Sequence, residues 1–132
     1  MTTIRYLQGK DFSFEQFRDL YESCSLGKRR PIEDEARFRG MLENANLIWT
    51  AWDENLLVGI SRCLTDFTYV LYLADLAIRE THQRKGIGKE LIKKTKSSIH
   101  EKAKIVLMAA PSAIGYYPHL GFERHPEGWI LV

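Results

Sequence analysis

Apolar positions along this chain change their period several times, and each change marks an element. Residues 3–7, Thr-Ile-Arg-Tyr-Leu, have the pattern of a short first strand. Ser13 followed three residues later by Gln16 is a helix start, and Phe12 is placed to staple against Phe17. Phe14, Phe17, Leu20, Tyr21 and Cys24 then recur at helical spacing. The run SLGKRRP breaks that helix, and Pro31 suits the opening of a second one that shows Phe38, Met41 and Leu42 on one side. Two apolar, β-rich runs flank Asp53, Glu54 and Asn55, which predicts an antiparallel hairpin. Residues 69–78, YVLYLADLAI, are almost wholly apolar, as in a strand from a sheet's interior. From Gly86 to about His100 the helical period returns, with Ile87, Leu91, Ile92 and Ile99 inward and lysines outward. KIVLMAAP predicts another buried strand over 104–110, ended by Pro111. A short helix from Ala113 to Leu120, a break at Gly121 and a last strand near Trp129–Val132 complete the prediction.

The strand–helix–strand unit over residues 69–110 requires two parallel strands joined by a right-handed crossover. The earlier hairpin adds antiparallel strands. The expected fold class is therefore α+β, a mixed sheet with helices on its faces. A length of 132 residues gives one domain, residues 1–132, with room for a real core.

Composition narrows function by exclusion. A formal charge of +2 is near balance, so the chain is not one that blankets nucleic acid or a membrane, and any anion site is local. Lys89, Lys93, Lys94 and Lys96 on one helix are the sole motive for a nucleic-acid reading, and the near-neutral total opposes it. The longest apolar runs fall well short of the ~20 residues that span a bilayer. Cys24 and Cys63 form no Cys-x-x-Cys pair and fit a reducing cytoplasm. His119 and His125 suit no common metal spacing, so no metal is expected.

The informative stretch is THQRKGIGKELI, residues 81–92, where the apolar strand hands over to the lysine-rich helix. Helix N-termini expose unpaired N–H groups and carry roughly half a positive charge. Gly86 and Gly88 let the backbone approach a diphosphate with no Cβ in the way, while Arg84, Lys85 and Lys89 add mobile charge. Residues Gln83 to Lys89 thus look like a pyrophosphate cradle, the alternative being an ordinary strand–helix turn with a solvated basic rim. Neither G-x-x-x-x-G-K-[ST] nor G-x-G-x-x-G is present; Gln-x-x-Gly-x-Gly is.

With QRKGIG after YLADLAI, and AIGYYPHLGF one strand later, the chain resembles the GNAT superfamily of acyl-CoA-dependent N-acyltransferases. The match is to that family's [QR]-x-x-G-x-[GA] loop and its A-x-x-[FY]-Y-x-x-x-G-F segment, in order and with the matching elements before them. The resemblance implies a GNAT-like central sheet, mostly antiparallel, whose parallel pair splays to hold CoA between residues 69–78 and 104–110. It implies a bulged strand whose backbone at Leu76, Ala77 and Ile78 binds the pantetheine arm and polarises the thioester carbonyl. It places the pyrophosphate on the amides of Arg84, Lys85, Gly86, Ile87, Gly88 and Lys89, and the Tyr117 hydroxyl near the cofactor sulfur as the acid that protonates the leaving thiolate. Tyr116 is assigned to packing. Pro118 beside Tyr117, and Ala110 where the family often has asparagine, depart from the pattern.

The implied activity is acetyl transfer from acetyl-CoA to a small or peptidic primary amine by direct attack in a ternary complex. The alternative is a non-catalytic acyl-CoA-binding or regulatory module on the same fold. An alkyl ammonium has a pKa of about 10.4, so a base is needed to free its lone pair. Asp75, a carboxylate within an apolar strand, is either that base, desolvated into a useful range, or a residue that points out of the sheet to cap a neighbouring turn or pair with a basic side chain. Glu80 and His82 lie just past the strand, with His82 in reserve as the base. Lys28, Arg29 and Arg30 are a solvated loop or, by the resemblance, part of an acceptor wall that attracts an acidic substrate. Last strands of this kind also pair with a second copy, which makes a homodimer compatible with the pattern.

Overall fold

The computed structural model describes residues 3–132. One sheet runs in the order β1 (Ile4–Gln8), β2 (Leu47–Asp53), β3 (Leu56–Thr65), β4 (Val70–Ile78) and β5 (Lys104–Val106). Neighbours from β1 to β4 pair antiparallel, and β4 pairs with β5 in parallel. Helices α1 (Phe14–Glu22) and α2 (Glu35–Asn44) supply one apolar layer, while α3 (Ile87–Ser97) packs with the other face. The mixed fold expected from the sequence is present.

Helix α1 starts as its sequence dictates. The Ser13 hydroxyl accepts from the Gln16 N–H at 3.0 Å, and the Ser13 N–H donates to the Gln16 side chain at 2.9 Å. Phe12 and Phe17 stack with centroids 6.2 Å apart. Phe17, Tyr21 and Phe38 form a fully buried aromatic group between α1, α2 and the sheet, with Phe17–Phe38 centroids at 4.6 Å. Each such ring contributes about 1.5–3 kcal/mol through burial. Cys24 falls just beyond the helix rather than in it.

Strand β4 carries a bulge. Cys63 pairs with Leu73 and Arg62 with Asp75, so Ala74 is an extra residue that shifts the register. Because side chains alternate along a strand, the extra residue moves Asp75 and Ala77 onto the α1 side, whereas Leu71 and Leu73 pack toward α3. The bulge therefore decides where Asp75 points.

Several sequence expectations are corrected. Pro31 does not open α2; the chain turns through 31–34, and the Asp34 side chain caps the helix by accepting from the Arg37 N–H at 3.3 Å. A carboxylate at the cap position satisfies an orphan donor, which Pro31 cannot do. Strand β5 ends at Val106 instead of 110, because its pairing to β4 covers only Val70–Tyr72 before the strands part. The helix expected over 113–120 is instead two short 3-10 turns, Pro111–Ala113 and Tyr117–Leu120, separated at Gly115. No strand forms at Trp129–Val132, where Trp129 is 97% and Leu131 98% exposed. High β-propensity does not make a strand without a partner to pair with.

Candidate functional site

Where β4 and β5 part, a cavity of about 640 Å³ opens between β4, the turn before α3 and residues 107–120. Its inner walls include Leu73, Leu76, Leu107 and Met108, so the middle of the slot is apolar. Its two ends are polar.

The first end is the turn from Gln83 to Lys89. Gly86 is the N-cap of α3 with φ +80°, a left-handed conformation that favours glycine, and Arg84 also takes positive φ at +63°. The Gly86 carbonyl accepts from the Glu90 N–H at 3.1 Å, and no side chain caps the helix. The N–H groups of Ile87, Gly88 and Lys89 are the orphan donors of a helix start, and all three residues line the cavity. A Cβ on Gly86 would meet open space, whereas one on Gly88 would collide with the Tyr116 hydroxyl. Open backbone donors, a positive helix end and a basic rim fit a diphosphate; the donor set is right for CoA.

Alternation along β4 sorts the backbone groups named from the sequence. The Arg79 N–H donates to the Val58 carbonyl on β3 at 2.8 Å. The Ile78 carbonyl therefore points the other way, and the Gln83 side chain caps it at 3.0 Å. By the same alternation the main-chain groups of Leu76 and Ile78 face the gap, and those of Ala77 belong to the ladder with β3. His82 ties the turn to the β2–β3 hairpin, its Nε2 2.8 Å from Asp53 Oδ2 and its Nδ1 2.8 Å from Thr81 Oγ1. Glu80 is exposed and does not line the cavity.

Both Tyr116 and Tyr117 line the cavity, with ring centroids 5.3 Å apart. Tyr117 is half-buried, edge-on to Phe122 at 5.5 Å. Burial raises both phenols, and the neighbouring Tyr116 raises Tyr117 further, so each stays a protonated donor at neutral pH. Pro118 is near the start of a 3-10 turn, where its missing N–H leaves nothing unsatisfied. Tyr116, expected only to pack, reaches the glycine turn; the signal that could have found it was the second glycine, which leaves room for its hydroxyl.

Asp75 is buried in the strand and paired with basic side chains. It is 1% exposed, and its oxygens accept from Arg30 Nε, Arg62 Nε and the Tyr21 hydroxyl, each at 2.5 Å. Arg30 also donates to the Ala74 carbonyl at 3.0 Å, and Arg62 to the Met41 carbonyl at 3.1 Å. Burial, then the Asp75 charge, push the Tyr21 phenol well up, so it acts as a neutral donor. Asp75 does not line the cavity, but Arg30 does, together with Arg29. These arginines come from the loop after α1, and nothing in the local pattern linked them to Asp75. The cysteines offer no nucleophile: burial pushes the Cys63 thiol up to about 11 and raises Cys24 as well.

Among the described residues no group of His, Cys, Asp and Glu is arranged to hold a metal ion, and no helix is long and apolar enough to cross a membrane.

Comparison with known proteins agrees with this geometry. Residues 22–128 match the family model described as acetyltransferase (GNAT) domain. The chain is 32% identical over 132 residues to an uncharacterized ycf52-like N-acetyltransferase of Prochlorococcus marinus, covering 96% of this chain and 71% of that one. It superposes on a GNAT family acetyltransferase of Streptococcus pneumoniae with TM-score 0.78 at 22% identity, over 98% of both chains. An aminoglycoside N-acetyltransferase in complex with CoA shares the fold with TM-score 0.71 at 14% identity, over 100% of this chain and 95% of that one. The family match, the splayed parallel pair and the glycine turn at its mouth together make this chain a member of the GNAT family of N-acetyltransferases.

Proposed function

We propose that the chain transfers an acetyl group from acetyl-CoA to an amine by direct attack, with no covalent enzyme intermediate. The observation that carries this reading is the open N–H cradle at Gly86–Lys89, set at the mouth of an apolar slot that Tyr117 also lines. Bound there, acetyl-CoA supplies an acyl carbon activated as a thioester. The gap-facing N–H of Leu76 or Ile78 donates to the acyl oxygen as negative charge develops on it; such a donor is worth about a hundredfold or more in rate. The amine lone pair forms the C–N bond, the C–S bond breaks, and the Tyr117 hydroxyl gives its proton to the departing sulfur. The amine's proton leaves to solvent, and Tyr117 is reprotonated from it. Asp75 serves as a positioning group: its oxygens are occupied, and it holds Arg30 and the loop after α1 against β4.

A second reading, a non-catalytic acyl-CoA-binding module, is favoured by one observation. No Asp or Glu lines the cavity among the described residues, so no free carboxylate is on hand as base. Calorimetry with acetyl-CoA and steady-state thiol release with a panel of amines separate the two. Binding with turnover is expected; binding with no turnover on any amine would favour the module, and no heat at all would sink both.

A further inference from the structure

The cavity end remote from the Gly86 turn is cationic, and its charge is unbalanced. Arg29 and Arg30 line it, and no carboxylate does among the described residues. Behind the wall one carboxylate serves two guanidinium groups: Asp75 at −1 with Arg30 and Arg62 at +2 leaves a net +1. The cluster is largely withdrawn from water, with side chains 0% exposed at Asp75, 9% at Arg62 and 25% at Arg30. Tyr21, the remaining partner, is neutral. Arg29 is exposed and enters no ion pair among the described residues. The acidic trio Glu22, Glu33 and Asp34 lines an adjoining depression that shares Arg30 but not Arg29 with the cavity. A partly desolvated surplus of positive charge beside a binding cavity attracts anions and repels cations.

The supply of bases points the same way. Asp75 accepts three hydrogen bonds and does not line the cavity, and His82, which does line it, has both ring nitrogens in hydrogen bonds. An alkyl ammonium of pKa about 10.4 has almost no free amine at pH 7, whereas a peptide α-amine, at about 7.7–8.0, is roughly a tenth free. A site without a spare base is suited to the second kind.

Resting on the acetyltransferase reading, we infer that the acceptor is a weakly basic amine carrying carboxylates close by, the α-amine of an acidic peptide, recognised by Arg29 and the Arg30–Asp75–Arg62 cluster. A polycation such as an aminoglycoside is the wrong charge for this wall. The test is thiol release at saturating acetyl-CoA with two peptides of equal length, one beginning Ala-Glu-Glu and the other Ala-Lys-Lys, beside free glutamate and kanamycin. Wild type should prefer the acidic peptide by about tenfold or more in kcat/KM. Arg29→Glu, at an exposed position that leaves the fold intact, should abolish or reverse that preference while acetyl-CoA affinity stays put. Preference for the basic peptide, kanamycin or free glutamate overturns the inference. So does an unmoved preference in Arg29→Glu, or acetyl-CoA binding with no turnover on the acidic peptide. Absence of calorimetric heat with acetyl-CoA is the distinct result that removes the acetyltransferase reading itself, and the acceptor assignment with it.

Discussion

At the Gly86 turn the proposed anion site is made of backbone, whereas the wall at Arg29 and Arg30 is made of side chains, and the two are sustained differently. The turn needs only a left-handed glycine and the orphan N–H groups of α3, all within a few residues of one another. The wall needs a carboxylate on β4, a guanidinium on β3, another on the loop after α1 and a phenol on α1, joined across as many as 54 positions. A backbone site tolerates change in its surroundings, since every residue type except proline brings an N–H. A side-chain network fails when one member is removed, because the others are left buried and unpaired.

The largest effect should come from the network. Asp75→Asn leaves two guanidinium groups without their counter-charge and should cost about 3–5 kcal/mol, read as a drop in the urea midpoint. If the midpoint holds, the network does not sustain the wall. Next is the chemistry between the two ends: Tyr117→Phe should lower kcat about a hundredfold with little change in CoA affinity, in steady-state kinetics paired with calorimetry. An equal loss at Tyr116→Phe would move the proton donor to the other ring. At the backbone end, Gly88→Ala should weaken CoA binding about tenfold, since a Cβ there strikes the Tyr116 hydroxyl. Adding Tyr116→Phe should recover most of that loss; without recovery, the collision is with the ligand rather than the ring. The smallest effect lies outside the comparison: Ser13→Ala should cost about 1 kcal/mol through the lost helix cap, measurable as a shift in Tm.

The legibility of the chain follows the range of the interactions involved. The capping box of α1, the hairpin between β2 and β3 and the amphipathic α3 are local, and residues within four or five positions specify them. The cradle was legible for the same reason. The C-terminal part was not: apolar, β-prone residues at 129–132 find no partner strand, and Pro118 with Gly115 divides what spacing alone makes a helix into two turns. At Tyr116 and Tyr117 the sequence offered two rings in succession, and only the packing of Tyr117 on Phe122 and of Tyr116 over Gly88 separates their surroundings.

Asp75 marks the boundary. Its neighbours in sequence determined that a carboxylate would lie inside an apolar strand, because Leu, Ala and Ile on either side commit that segment to the sheet. Which face it took depended on the Ala74 bulge, since one extra residue reverses the alternation. Whether it was free to accept a proton depended on Arg30 and Arg62, which only the folded chain brings within 2.5 Å. Periodicity and backbone donors are properties of contiguous residues, so the sequence by itself determined most of the elements and the glycine turn that opens α3. Charge pairing acts through space, and the tertiary structure decided which charges meet and which is left over.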